Sequence, residues 1–303
     1  MNRTHWPLAL MMFLEFFIWG AWYVTVGNYM TAIGLTDAIY WAYTVSPIAG
    51  VVSPFFLGMV ADRFFATEKV LAALHFLGGL AIIAAPSAAH SAVPFVLLLL
   101  FHVLFYMPTL GLANSLAFHH IADQEKTFPR IRVFGTVGWI AANVVVSAVL
   151  EADATPLPLY VAGGASMVMA LYCLTLPHTP PPAAGRRPTV SAILGLDALA
   201  KLWSRPFQVF ITSSLLLSIP LAAYYAYAPV FVASAGLERP AFLMSFGQMS
   251  EVLFMIAMPF FFVRLGVKWM LVAGMGAWVL RYFVFASAAS GGGGALILLG
   301  ILL

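Results

Sequence analysis

The chain has 303 residues, of which 63% are hydrophobic and only 8% are charged, and its mean hydropathy is +0.98. A water-soluble globular protein of this length does not have such a composition, and the apolar runs are continuous where a transmembrane β-barrel needs alternation. The single cysteine excludes a disulfide framework within the chain and offers no metal-site spacing. The sequence therefore predicts an all-α polytopic membrane protein.

Apolar stretches of about 20 residues, the length at which a helix crosses a bilayer, follow one another along the chain. We predict nine spans: Leu8–Met30, Trp41–Ala61, Val70–Ala88, Val93–Leu116, Val133–Leu150, Leu159–Leu176, Phe207–Ala233, Ala241–Val263 and Met270–Ala288. The final apolar run, Ala295–Leu303, is too short to cross a bilayer. We therefore expect the chain to stop within a tenth helix and to be an N-terminal fragment or truncated product.

The distribution of basic residues predicts the orientation. If the N-terminus is cytoplasmic and the spans alternate, twelve of the fourteen lysines and arginines fall on the cytoplasmic side, and only Arg239 falls outside. This bias predicts a multi-pass protein of the cytoplasmic (inner) membrane with a cytoplasmic N-terminus.

The widest break between spans runs from His178 to Pro206 and opens with a proline-rich segment that is typical of an extended linker. Six predicted spans precede it, and this is the half-and-half plan of many secondary transporters. We predict an N-terminal six-helix bundle over residues 1–177, a cytoplasmic linker over 178–206, and an incomplete C-terminal bundle over 207–303.

Four charged residues lie inside or at the edge of predicted spans: Glu15, Arg132, Glu251 and Arg281. A charge in a membrane helix is costly unless it is paired or hydrated, so such residues commonly mark a solute pathway.

Span five carries Arg132, Thr136, Trp139 and Asn143 at the spacing i, i+4, i+7 and i+11, which is one stripe of a helix. The polar side chains offer hydrogen bonds and the indole offers a stacking face, a combination that suits an uncharged ribonucleoside. The alternative is that Arg132 anchors the cytoplasmic end of the helix and the other three residues only pack.

Span eight carries Gln248 and Glu251 at i and i+3, on one helix face. A glutamate in this position is a candidate for proton coupling, and the alternative is a structural partnership, for example with Arg281. Glu15 in span one is a second candidate for proton coupling, and its alternative is a hydrogen bond between helices.

Several segments carry a family resemblance: FLEFFIWGAWYVTVGNYM, GMVADRFF, FYMPTLGLANSLAF, FPRIRVFGTVGWI and GQMSEVLFMIAMPFFF. Together they resemble the nucleoside/proton symporter family of the major facilitator superfamily. The resemblance implies twelve helices in two six-helix bundles and a central nucleoside site reached by alternating access. It also implies proton-driven uptake by a monomer in a lipid bilayer, with no cofactor and no nucleic acid partner.

The resemblance also implies site residues, because the matched motifs place Arg132, Thr136, Trp139, Gln248 and Glu251 at positions of the family's substrate site. Two departures stand out. Ala222 and Tyr225 occupy span seven where the family has polar residues, and the acidic residue that the family carries late in span ten would lie beyond Leu303.

The segment GMVADRFF also contains Gly58, Asp62 and Arg63, which resemble the superfamily's motif in the loop after span two. Close helix approach at the glycine and a charge network at the helix ends suit a gating role. The alternative is an ordinary charged turn.

Other functions have to be weighed. The site stripe also suits a major facilitator permease for another polar solute such as a sugar, and an inactive fragment of a nucleoside symporter is a further alternative. A membrane-embedded enzyme would need a nucleophile with a base, or a metal cluster, and no such constellation is visible. His119, His120 and Asp123 do not have the spacing of a metal motif and are expected to lie in a solvated loop.

Overall fold

The computed structural model describes residues 5–53, 64–181 and 202–303, and within these ranges all regular structure is helical. Six of the described helices are long and apolar enough to cross a membrane. The predicted gating residues Gly58, Asp62 and Arg63 and most of the predicted linker lie outside the described residues.

The described part of the first half contains seven α-helices: α1 (His5–Tyr23), α2 (Val26–Ala32), α3 (Ile39–Ser53), α4 (Thr67–Ala84), α5 (Ala92–His119), α6 (Gln124–Asn143) and α7 (Leu157–Cys173). Helices α1 and α2 follow each other along one apolar segment, His5–Ala32, which contains the first predicted span. The side of the molecule on which α1 begins is called the near side below, and the opposite side is called the far side.

Among residues 202–303, the structure has three α-helices: α8 (Arg205–Ser234), α9 (Pro240–Ser287) and α10 (Gly293–Leu302). Gly266 interrupts α9 with a positive φ of 68°, a conformation that favours glycine. Gly247 and Phe285, on opposite sides of this break, both lie beside Tyr224, although a straight helix would hold them roughly 57 Å apart. The chain therefore reverses at Gly266, and the two segments of α9 correspond to predicted spans eight and nine.

Helix α6 begins earlier than expected. The prediction started span five at Val133, but the helix begins at Gln124 and includes Pro129. The polar residues before Val133 suggested a loop, yet a helix can continue beyond its apolar stretch when its end is solvated. Arg132 consequently lies within the helix and not at its first turn.

Helices α1 and α6 approach closely at small residues. A Cβ added to Gly138 would overlap the backbone carbonyl of Phe13, and one added to Gly20 would lie 3.1 Å from the Cα of Trp139. Small residues at helix interfaces in membranes allow backbones to meet in this way. The contact fixes the rotation of α6, and with it the direction in which its polar stripe faces.

The two halves of the chain meet on the far side through polar contacts. Glu151, after α6, forms an ion pair with Arg239, which precedes α9. Asp153 Oδ1 accepts a hydrogen bond from the backbone N–H of Ala241 at 2.9 Å, and its Oδ2 accepts one from Ser147 at 2.6 Å. Asp153 in one half thus caps the N-terminus of a helix in the other half.

Candidate functional site

A cavity of about 490 Å³ lies between the two halves. Helices α1, α3, α5 and α6 line it from one half, and α8 and α9 line it from the other. Its size falls within the range of about 300–1,000 Å³ that is usual for small-molecule sites.

The stripe on α6 contributes three of its four predicted residues to this cavity. Arg132, Thr136 and Trp139 line it, whereas Asn143 does not. Asn143 is fully buried and donates its side-chain N–H to the backbone carbonyl of Trp139 at 2.9 Å. The stripe therefore extends one helical turn beyond the far end of the cavity, where Asn143 is hydrogen-bonded to the backbone of its own helix.

Both predicted residues of span eight line the cavity from the opposite wall. Gln248 donates its side-chain N–H to the hydroxyl of Tyr225 at 3.3 Å. Glu251 faces the cavity, and Arg132 is the charged group with which it interacts across the space. One wall thus presents a cation and the other a carboxylate.

The guanidinium of Arg132 is held by its own half of the molecule. Its Cζ lies 4.0 Å above the ring of Phe16 on α1, a distance at which a cation and a π-face attract each other. The close approach of Gly135 leaves no room for a larger residue beside that guanidinium. Arg132 is therefore fixed at the cavity wall.

The structural alternative for Glu251 named Arg281 as an example of a partner. The structure does not place Arg281 beside Glu251. Arg281 Nε donates to the carbonyl oxygen of Gly300 at 3.0 Å, and its Cζ lies 4.4 Å from the ring of Trp278 and 4.6 Å from that of Tyr224. Its charge is satisfied within the second half of the chain.

Aromatic side chains surround the cavity. The ring centroids of Trp19 and Trp139 lie 5.5 Å apart, those of Tyr23 and Tyr43 lie 5.1 Å apart, and those of Tyr23 and Tyr225 lie 5.8 Å apart. These rings also bridge the two halves, because Tyr225 belongs to α8. They give the cavity several faces on which a flat ring can stack.

Sequence reasoning missed the contribution of α3. Tyr43, Ser46, Pro47 and Gly50 all line the cavity, and they stand at i, i+3, i+4 and i+7, which is one helix face. That spacing would have identified the wall. The Ser46 hydroxyl is buried and has no hydrogen-bond partner among the described residues.

The two residues of span seven that depart from the family's pattern, Ala222 and Tyr225, also line the cavity. Ala222 offers no hydrogen bond there, whereas Tyr225 offers both its ring and its hydroxyl. On this wall the aromatic ring replaces the polar contacts that the resemblance implied.

Glu15 does not line the cavity. Its side chain is completely buried in the first half, with His75 Nε2 at 3.0 Å and the hydroxyl of Thr109 at 2.5 Å. Trp19 and Phe16, on the same helix, stand between it and the cavity.

Comparison with known proteins decides the family. The sequence model of the Nucleoside H+ symporter family matches residues 1–303. The chain belongs to that family. YegT of Escherichia coli is 40% identical over 310 residues, a match that covers 99% of this chain and 72% of YegT. The xanthosine permease of the same organism is 33% identical over 295 residues and is covered to 70%.

A solved structure supports the same assignment. A crystal structure of a mutant of the nucleoside transporter NupG matches with a TM-score of 0.88 at 30% identity, over 99% of this chain and 78% of that one. The all-α membrane architecture of the major facilitator type is thereby confirmed. The prediction that the protein is not an enzyme is confirmed as well, because members of this symporter family are transporters.

Proposed function

We propose that the protein carries nucleosides together with protons across the cytoplasmic membrane by alternating access. The observation that carries this proposal is the cavity at the junction of the halves. Arg132, Thr136 and Trp139 enter it from one half, and Gln248 and Glu251 enter it from the other. A solute bound there touches both halves, so its binding can be linked to their relative movement.

The chemistry of the lining fits a nucleoside. The rings of Trp19, Trp139 and Tyr225 can stack on a flat base, and Thr136 and Gln248 can hydrogen-bond to ribose hydroxyls or base edges. The names of the relatives, a xanthosine permease and a nucleoside transporter, support the same substrate class. A sugar permease would have less use for this number of aromatic faces.

Glu251 is the proposed proton carrier of the cavity. When it is ionised, its charge attracts Arg132 across the space, and when it is protonated, that attraction is lost. Arg132 is then available to donate hydrogen bonds to the solute. Binding of a proton and binding of a nucleoside would thereby favour each other.

The contacts on the far side support a cycle of opening and closing. Glu151 with Arg239, and Asp153 with Ala241, join the halves there. With the N-terminus in the cytoplasm, as the basic residues predict, these contacts would close the outer side of the cavity. The orientation, the bundle boundaries at 177 and 206, the monomeric state and the gating role of residues 58–63 remain predictions.

Binding and uptake test the function together. Purified protein should bind radiolabelled uridine or adenosine saturably, and cells that lack other nucleoside transporters should take up the label in a protonophore-sensitive manner. Trp139→Ala should weaken binding roughly tenfold, because stacking contributes about 1–3 kcal/mol per base. Trp6→Ala is the matched control, since Trp6 is exposed and lies away from the cavity.

Two results would contradict the proposal. One is the absence of saturable binding of any nucleoside by the folded protein, while a sugar binds. The other is equal weakening of nucleoside binding in Trp139→Ala and Trp6→Ala.

A further inference from the structure

A second pair of protonatable groups lies in the first half, behind the cavity wall. Glu15 on α1 and His75 on α4 are both completely buried, and the distance from Glu15 Oε2 to His75 Nε2 is 3.0 Å. Three further bonds tie the pair to its neighbours. Thr109 meets Glu15 Oε1, Tyr106 donates its hydroxyl proton to the backbone carbonyl of Glu15 at 2.6 Å, and Ser166 donates to the backbone carbonyl of His75 at 2.9 Å.

The burial of the pair favours one shared proton. An ionised glutamate beside a neutral histidine would give this completely buried pair a net negative charge, which is unfavourable in the protein interior. One bound proton makes the pair neutral overall, whichever of the two groups carries it. A single shared proton is therefore the arrangement that leaves the pair without a net charge.

The contacts of Thr109 favour the carboxyl group as the place of that proton. The Thr109 hydroxyl lies 2.5 Å from Glu15 Oε1 and also 2.5 Å from the backbone carbonyl oxygen of Tyr106. A hydroxyl has a single hydrogen, and a carbonyl oxygen can only accept. With an ionised Glu15, the carboxylate and the Tyr106 carbonyl would have to share that one hydrogen, whereas a protonated Glu15 can donate to Thr109 while Thr109 donates to Tyr106.

The unused ring nitrogen of His75 leads to the same assignment. His75 Nδ1 is buried and has no hydrogen-bond partner among the described residues. An imidazolium would have an unsatisfied N–H at that position, whereas a neutral ring that donates from Nε2 leaves only a lone pair there. Leaving a buried N–H donor unpaired is costly.

The surroundings of the pair contain four other titratable or charged groups: His102 and Tyr106 on α5, Arg132 on α6 and Cys173 on α7. His102 is held as a neutral ring, because its Nδ1 must donate to the carbonyl oxygen of Gly78 at 2.9 Å, and its Nε2 is unpartnered. Arg132 is the one permanent cation of the set. It lies against the ring of Phe16, the residue after Glu15, and faces Glu251 across the cavity.

We propose that Glu15 and His75 form a second proton-binding site of this transporter, with Glu15 as the acid, His75 as its hydrogen-bonding partner and Arg132 as the link to the solute cavity. Loss of the proton from Glu15 would create a negative charge that competes with Glu251 for Arg132. The proposal rests on the proton-coupled function proposed above and adds to it a site that lies outside the solute cavity.

Infrared spectroscopy of the purified protein tests the site without any transport measurement. A protonated carboxyl group has a C=O stretching band of its own, and difference spectra between low and high pH show which carboxyl groups exchange protons. We expect the wild type to lose such a band as the pH rises. Glu15→Gln should remove one component of the band, and Glu251→Gln should leave that component in place.

The chain offers a matched control in its other glutamate–histidine pair. Glu68 on α4 is buried and lies 2.9 Å from His178, whose side chain is 69% exposed. Because Glu68 and Glu15 have different hydrogen-bond partners, Glu68→Gln should leave the component assigned to Glu15 unchanged. An identical loss in Glu68→Gln and Glu15→Gln would overturn the assignment.

A second variant keeps the test valid if Glu15→Gln does not fold. Thr109→Val removes the acceptor of the carboxyl proton and nearly preserves shape, so the Glu15 band should move to higher frequency. Wild-type spectra in Glu15→Gln, or no band shift in folded Thr109→Val, would overturn the proposal. Either result would leave nucleoside transport untouched, whereas a failure to bind nucleosides with the band intact would count against the proposed function alone.

Discussion

The two halves of the molecule each place one glutamate within the membrane region, and they treat it differently. Glu15 in the first half is completely buried and has close polar partners on α4 and α5. Glu251 in the second half faces the cavity, where Arg132 is its charged neighbour across the space. Both residues stand in apolar sequence. The difference shows that the packing of the surrounding helices, and not the apolar character of the segment, separates an enclosed glutamate from one that faces the cavity.

The largest expected difference between the two glutamates is in stability. Glu15→Leu leaves the buried His75 without its side-chain partner, and this loss should cost about 1–3 kcal/mol of the free energy of unfolding. Glu251→Leu breaks no hydrogen bond of the described structure and should change that free energy by less than about 1 kcal/mol. Thermal unfolding in detergent, followed by size-exclusion chromatography, measures both. Equal loss of thermal stability in the two variants would contradict this difference between Glu15 and Glu251.

The close packing of the first half can be tested at the α1–α6 contact. Gly138→Ala would press a methyl group against the carbonyl of Phe13 and should cost about 1–3 kcal/mol. Gly164→Ala is the matched control, because a Cβ at Gly164 meets nothing within 4 Å. Removing a helical glycine there should be neutral or stabilising by about 0.5–1 kcal/mol. A Gly138→Ala protein as stable as the control would show that this contact is not tight.

The helix cap that joins the two halves on the far side should contribute a smaller free energy than the contacts above. Asp153→Ala removes a helix cap that crosses from one half to the other, and such caps contribute about 0.5–2 kcal/mol. Spin labels at exposed Ala154 and Glu238 should then report a longer and broader distance distribution across the far side. Asp37→Ala, at an exposed aspartate, is the control. An unchanged distribution in Asp153→Ala would mean that the cap does not hold the far side closed.

The pH dependence of the same distance is the smallest effect. Burial raises the pKa of Asp153 above its ordinary value, even though Ser147 and the Ala241 N–H act in the opposite direction. The neighbouring charges, Glu151 and Arg239, pair with each other. A raised pKa in the closed state means that this state binds the proton more tightly than the open one. Lowering the pH should therefore favour the closed far side, and that advantage should be lost as the pH rises through the raised pKa.

The control for this pH effect is Asp153→Asn, which retains an acceptor for the Ala241 N–H but does not titrate. Its distance distribution should not vary with pH over the range in which the wild type changes. The same pH response in both proteins would assign the effect to another group.

The sequence allowed the helices and much of the cavity lining to be predicted, because spans and helix faces are local properties. The spacing of Arg132, Thr136 and Trp139 placed them on one face, and that face lines the cavity. Depth along the helix is not a local property, so Asn143 was assigned to the site although it lies beyond the far end of the cavity. Spacing along a helix determines the direction of a side chain but not where the opposite wall ends.

The sequence did not allow us to predict which side chains from different helices pair with each other. His75 stands 60 residues after Glu15, and only the packing of α4 against α5 and α7 brings it to the carboxyl group. Arg281 was an equally plausible partner for Glu251 until the structure placed it against Gly300. Tyr43 and Ser46 could have been found from their helical spacing, but no charge drew attention to α3.

The most direct test of proton-coupled transport through the cavity compares two transport modes of Glu251→Gln in proteoliposomes. One mode is nucleoside accumulation driven by an imposed proton gradient, and the other is counterflow exchange, which needs no net proton movement. We expect Glu251→Gln to lose accumulation and keep exchange, while Glu68→Gln keeps both. Accumulation at the wild-type level in Glu251→Gln would contradict proton coupling through Glu251, and loss of both modes in a folded protein would assign Glu251 to substrate binding instead.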